Sequence, residues 1–251
     1  MRVFLCGNGP SAVAIARWLA ERDDAELVGG AIHPAEAGRN TDELRARLAG
    51  PVLEGKAINS DAGLEQLEAL RPDVLLSVHF GYIVGARALA APRHTMNIHP
   101  AYLPHGRGAN PNVWALVEES PAGVTIHEME QTLDTGAIWA QYEVPYDWSD
   151  TGETLYDRLL AAELTLFHET WPRFAAGELK SRPQEAGGSS HRQKELKTLD
   201  RLDLEEATTV RALLNRLRAR TFPPHDGCYV EEEDGTRTYF RLLADRRTPD
   251  R

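Results

Sequence analysis

A chain of 251 residues with 42% hydrophobic content can form one large domain, or one domain with an appendage, around a sizeable core. Its formal net charge of -10 argues against a non-specific nucleic-acid binder, which needs basic surface to neutralise phosphates. A local basic pocket for one phosphorylated ligand is still compatible with that charge. The two cysteines, Cys6 and Cys228, form no C-x-x-C spacing, so the usual thiolate zinc patterns are absent. Cys6 lies in an apolar run and is expected to be a buried free thiol.

Taken in order, Arg2–Cys6 reads as a buried strand from the start of the chain, with neither a charged leader followed by an apolar stretch nor a membrane-length apolar run. A soluble cytoplasmic protein is expected. Pro10–Glu21 reads as a helix with Ala12, Val13, Ile15, Ala16 and Leu19 on one face. Glu26–Ile32 reads as a strand, Thr41–Leu48 and Asp61–Leu70 as helices, the second capped by Asp61, and Val74–Val78 and Thr95–Ile98 as strands. Asn110 starts a helix with Pro111 at its first position, after a segment, His105–Gly108, that looks flexible. Val124–His127 and Ala137–Val144 are further strands, and Thr154–Ala176 is a long helix. Gly177–Ser190 is polar, with Pro183 and Gly187-Gly188, and reads as a linker. Beyond it come a helix over Ala207–Ala219, a hairpin of Cys228–Val230 with Thr236–Leu243 across Asp234-Gly235, and a charged, frayed tail from Asp245.

Strands alternating with helices predict an α/β fold with a Rossmann-like open, mostly parallel sheet, followed by a small C-terminal helix and β-hairpin appendage. The expected boundaries are a domain over 1–177, a linker over 178–200 and a subdomain over 201–251. Ligands collect at the carboxyl ends of strands in such sheets. Asn97 and His99 close one strand, two positions apart and so on one side of an extended segment, and Asp134 follows another. An amide donor, an imidazole and a carboxylate are what acyl transfer to an amine requires.

Each has an ordinary reading too. His99 can be a hydrogen-bonded strand-end histidine, and Leu133-Asp134-Thr135-Gly136 is common turn chemistry. His127 is either a core histidine or a supporting partner of the site. Gly7-Asn8-Gly9-Pro10-Ser11-Ala12 fits a loose G-x-G-x-x-A pattern, but the next strand ends in Ala31-Ile32-His33 and lacks the acidic residue a dinucleotide ribose needs. A tight turn, or a loop holding one anionic substrate group through Gly9 and Ser11, is left. Arg107 can meet a phosphate or carboxylate or be a solvated loop arginine, and Tyr102, Trp114 and Trp148 can stack on a ligand ring or simply pack. The histidines form no H-x-x-x-H or H-E-x-x-H spacing, so no metal is expected, and no G-x-S-x-G elbow supports a serine hydrolase.

Asn97-Ile98-His99-Pro100 with Leu103-Pro104, then Gly123-Val124-Thr125-Ile126-His127 and Leu133-Asp134-Thr135-Gly136, resemble the formyltransferases that use N10-formyltetrahydrofolate. The resemblance is strong across roughly 74–171 and looser on either side. It implies a catalytic role for Asn97, His99 and Asp134. It also implies a folate pocket at Phe80-Gly81-Tyr82-Ile83-Val84, shared with Asp134, and a supporting role for His127. The segments His99–Gly108 and Arg220–Gly227 look most like the sugar N-formyltransferases, which implies an amino sugar nucleotide as acceptor and a homodimer with the terminal hairpin as its interface. Gly9, Ser11, Tyr102, Arg107 and Trp114 are then the expected substrate contacts. Transfer to another small amine, hydrolysis of formyltetrahydrofolate, and folate binding without chemistry stand as alternatives.

Overall fold

The computed structural model describes residues 1–247. In chain order the elements are β1 Arg2–Gly7, α1 Gly9–Ala20, β2 Glu26–Ile32, α2 Thr41–Arg47, β3 Val52–Glu54, α3 Asp61–Leu70, β4 Val74–Val78, α4 Ala86–Ala90 and β5 His94–His99. They continue with β6 Arg107–Gly108, α5 Pro111–Glu118, β7 Gly123–His127, β8 Ile138–Glu143, α6 Gly152–Ala175, β9 Ser190–His191, α7 Val210–Ala219, β10 Cys228–Glu231 and β11 Arg237–Phe240. The chain divides into two compact units, one of residues 1–99, 124–142 and 162–185, the other of 100–123, 143–161 and 186 onward.

The first unit is built on the seven-stranded sheet, ordered β3-β2-β1-β4-β5-β7-β8. β1 pairs in parallel with β2 and β4, and β4 with β5, as the alternation of strands and helices implies. The turn to antiparallel comes between β5 and β7, where Asn97 stands opposite His127, Ile98 opposite Ile126 and His99 opposite Thr125. Strand order reverses at β1, because the chain runs outward to β2 and β3 and returns to β4 on β1's other side. That reversal puts a topological switch point at the carboxyl ends of β1 and β4, which lead into Asn8 and the loop from His79.

Period-two alternation sends Phe4 and Cys6 of β1 to one face, where they pack with Leu75, Leu53, Ile58, Leu64 and Leu67. The cap of α3 lies one residue before the expected one. Ser60 is extended (φ -76°, ψ 156°) and accepts from the Gly63 amide, while Asp61 is already helical. An aromatic chain ties α6 into the unit: Trp18–Phe167 at 5.7 Å, Phe167–Trp171 at 5.7 Å, Trp171–Phe174 at 6.0 Å and Trp139–Phe174 at 5.0 Å. Trp171 is 0% exposed, and its indole N–H donates to Asp24 at 3.1 Å. Trp171→Ala is therefore expected to lower unfolding free energy by about 3–5 kcal/mol, read from urea denaturation. A loss below about 1 kcal/mol would mean the site collapses without a cavity.

In the second unit, the segment expected to be flexible is strand β6, paired in parallel with β9 through Arg107 opposite Ser190 and Gly108 opposite His191. The backbone, not the glycine composition, decides this: Gly108 sits at φ +89°, and a Cβ there would meet the His191 carbonyl oxygen at 2.2 Å. Residues 178–200, expected as a linker, carry β9, a 3-10 helix over Gln193–Leu199 and a bridge from Arg182 to Ile138. The hairpin forms as expected, β10 against β11 with Tyr229 opposite Tyr239. Arg218 of α7 is buried, donates to the Asp147 carbonyl and Asn215, and lies 4.6 Å from the Trp148 ring centroid. Of the charged tail, 248–251 lie outside the described residues. Among the described residues no helix is long and apolar enough to cross a membrane.

Candidate functional site

Asn97, His99, His127 and Asp134 come together in the first unit. The antiparallel register places Asn97 across from His127, with Asn97 Nδ2 and His127 Nε2 3.1 Å apart. His127 Nδ1 lies 2.6 Å from the Glu128 carbonyl, which can only accept. The proton therefore sits on Nδ1, and Nε2 accepts a hydrogen bond from the Asn97 amide. That fixes which way the Asn97 NH₂ faces. Its other approach, 3.5 Å to Asp134 Oδ1, is at the limit of a hydrogen bond. His99 Nε2 lies 3.6 Å from Asp134 Oδ2, and His127 Nε2 lies 3.5 Å from Oδ1. His99 is 6% exposed and Asp134 8%, so an imidazolium formed at His99 would face the carboxylate with little water to screen the pair.

Asp134 reaches this position through an uncommon backbone. Its φ of +55° is the left-handed region, and Gly136 follows where a Cβ would stand 2.0 Å from the Glu128 carbonyl oxygen. Gln184 clamps the turn, its amide donating to the carbonyls of Asp134 at 2.7 Å and Gly136 at 2.9 Å. Sequence reasoning missed Gln184. It lies in the polar stretch that reads as a linker, and nothing in its spacing links it to a turn fifty residues earlier.

The loop after β4 gathers Phe80, Tyr82 and His33, with ring centroids 5.5 Å apart for Phe80–Tyr82 and 4.8 Å for His33–Tyr82. Asn59 holds its far end, donating to the Ile83 carbonyl at 2.8 Å and accepting from the Gly85 amide at 2.7 Å. Ile83 is 81% exposed, whereas Val84 is buried and packs in the core. At the near end the Gly81 amide donates to His33 Nε2 at 3.1 Å. His79 Nε2 lies 2.8 Å from Glu163, whose side chain is wholly buried. Burial lowers the His33 pKa, against a hydrogen bond that the ring donates to the Ala37 backbone carbonyl. Burial also works to lower that of His79, but the hydrogen bond and charge of Glu163 prevail and raise it.

Gly9 and Ser11 lie at the N-terminus of α1, with Gly9 at φ +78°. The Asn8 and Gly9 amides donate to the carbonyls of Val78 and Arg39, and Pro10 has no N–H, so an anion here can draw only on amides further along. Tyr102, Arg107 and Trp114 belong to the second unit. The Arg107 guanidinium donates to the Gly187 carbonyl at 3.3 Å. Trp114 is 7% exposed with one ring face covered by His191, at 3.7 Å between centroids and 8° between planes. Both cysteines are free and buried. Burial pushes the Cys6 thiol up, and that of Cys228 up to about 11, which keeps both protonated and unreactive.

Two family descriptions match the sequence: "Formyl transferase" over residues 21–170 and "N-formyltransferase dimerization C-terminal domain" over residues 195–242. A dTDP-4-amino-4,6-dideoxyglucose formyltransferase of Mycobacterium tuberculosis is 31% identical over 179 residues, 71% of this chain and 76% of its own length. A methionyl-tRNA formyltransferase of Thermotoga neapolitana is 33% identical over 195 residues, but these are only 62% of its length against 74% of this chain. Among solved structures, a sugar N-formyltransferase from Shewanella superposes with a TM-score of 0.85 over 99% of both chains at 22% identity, a likeness of fold. The formyltransferase PseJ of Anoxybacillus kamchatkensis, solved with UDP-4,6-dideoxy-4-formamido-L-AltNAc and tetrahydrofolate, is 27% identical over 79% of this chain and 89% of its own, with a TM-score of 0.57. This chain belongs to the formyl transferase family.

Proposed function

We propose that the protein moves the formyl group of N10-formyltetrahydrofolate to the primary amine of a nucleotide-linked amino sugar. The observation that carries this is the convergence of Asn97, His99 and Asp134 at the end of β5, in a family whose sugar-specific relative matches along most of its length. Asn97 offers an amide N–H to the oxyanion that develops on the formyl oxygen; its orientation is already set by His127. His99 takes the proton released as the amine nitrogen bonds to the formyl carbon, and returns it to the folate nitrogen as that C–N bond breaks. Asp134 orients His99 and favours the imidazolium formed in between. Contacts of about 3.6 Å are loose for proton transfer and are expected to tighten with substrates bound.

The folate ring is assigned to the Phe80–Ile83 loop. Exposed Ile83 and the Phe80 and Tyr82 rings supply apolar surface for it, and exposed Leu133 stands next to Asp134. A transfer RNA acceptor is disfavoured by the net charge of -10 and by the dimerization domain matched at 195–242. The same domain carries the homodimer reading. In it, β11 with Tyr239 and Phe240 exposed, and α7 with Val210 exposed, supply the apolar contact surface. We place the enzyme in the cytoplasm, where two free thiols stay reduced. Incubation with N10-formyltetrahydrofolate and dTDP-4-amino-4,6-dideoxyglucose, or UDP-linked 4-amino sugars, tests the acceptor class. Mass spectrometry should find the sugar nucleotide heavier by one formyl group; formylation of simple amines or amino acids in preference would overturn the sugar assignment.

A further inference from the structure

The loop that the proposed function gives to folate starts between two histidines with opposite demands. His33 Nε2 accepts from the Gly81 amide at 3.1 Å, and a nitrogen that accepts carries no proton. His33 also touches the loop through its rings, 4.8 Å from Tyr82 and 5.8 Å from Phe80. His79, the first residue of the loop, stands at φ +53°, in the left-handed region that a histidine adopts at a cost. What holds it there is Glu163, 2.8 Å from Nε2 and 0% exposed, with its second oxygen buried and making no hydrogen bond. A buried carboxylate so sparsely bonded is strongly unfavourable unless a positive charge faces it, and the imidazolium of His79 is the group in contact. All these residues lie within the first unit.

We infer that His33, neutral, and His79, charged on Glu163, are positioning residues that set the 79–82 turn for folate, so that the loop is correctly formed only within a window of pH. The inference rests on the assignment of folate to this loop. The charged groups facing His79 are Glu163 from α6, which favours its imidazolium, and Arg39 from the segment before α2, which opposes it. His33 is depressed by burial, opposed by its hydrogen bond at Ala37. The signs follow. His79 is shifted up, so its contribution is present below that shifted value and fades as pH rises through it. His33 is shifted down, so its contribution is present above its own value and fades as pH falls through it. Folate affinity is therefore highest between the two.

The test is the affinity of the full-length enzyme for 5-formyltetrahydrofolate, an unreactive folate, from acid to alkaline pH. Wild type should bind tightest between the two titrations and weaken on either side, by about tenfold where a charge-assisted hydrogen bond is lost. In E163Q the alkaline limb should move to lower pH. H33Q retains an acceptor for the Gly81 amide but does not titrate, so the acid limb should disappear. In turnover the losses should fall on KM for the folate rather than on kcat. Y82A separates the two levels. If Y82A weakens folate binding while the E163Q and H33Q profiles match wild type, the histidine inference falls and the folate loop stands. If Y82A binds normally, the loop assignment falls. Imidazole nitrogen shifts of the wild-type enzyme by NMR need no variant to fold. His79 should titrate above His33, so that between the two steps His79 is protonated and His33 neutral, and two histidines titrating together would overturn the inference.

Discussion

Asn97→Ala should lower kcat by about 10²–10³-fold while the affinity for 5-formyltetrahydrofolate stays near wild type. The amide is one donor aimed at charge that exists only in the transition state, so its removal is felt in turnover and hardly in ground-state binding. Its neighbours argue that the loss is specific. His127, 1% exposed and fixed by the Glu128 carbonyl, keeps its place when Asn97 is truncated, and β5 keeps its backbone pairing with β7. Single-turnover rates and folate titrations on the same preparation separate the two effects. A variant with near-native turnover would remove Asn97 from the oxyanion role.

Asp134→Asn should cost about 10²–10⁴-fold in kcat, the range of the acid–base catalysis for which His99 depends on the carboxylate. The substitution preserves volume, and asparagine tolerates the left-handed φ of +55° nearly as well as aspartate, so the turn with Gly136 and its clamp by Gln184 should survive. What disappears is the negative charge between His99 and His127, 3.6 Å and 3.5 Å away. Circular dichroism and thermal unfolding close to wild type, with turnover collapsed, is the expected pair of results. Turnover within about threefold of wild type would mean that His99 works without the carboxylate.

Much of the fold is legible in the sequence because the buried strands are short apolar runs. Glu26–Ile32, Asp61–Leu70 and Val74–Val78 match their observed bounds, since turn residues and caps punctuate them. The candidate trio is legible for a related reason: Asn97 and His99 share a strand face by period two, and Asp134 precedes a glycine that the turn requires. What the sequence hides is set by tertiary context. Nothing in the glycine-rich 105–108 segment announces a partner strand eighty residues on. Gln184 and Glu163 matter through what folding brings to them, the Asp134 turn and His79, and in sequence they look like an ordinary linker glutamine and one more polar position on a long helix. Trp114 shows the opposite case, an aromatic suited to stacking on a ligand whose ring already stacks on His191.

The central claim is amine-dependent formyl transfer, and the direct measurement is release of tetrahydrofolate from N10-formyltetrahydrofolate with and without an amino sugar nucleotide. Release should be negligible alone, matched one to one by formylated sugar nucleotide when the amine is added, and lost on both counts in Asn97→Ala. Equal release with and without the amine would contradict that claim and make the protein a hydrolase of the folate.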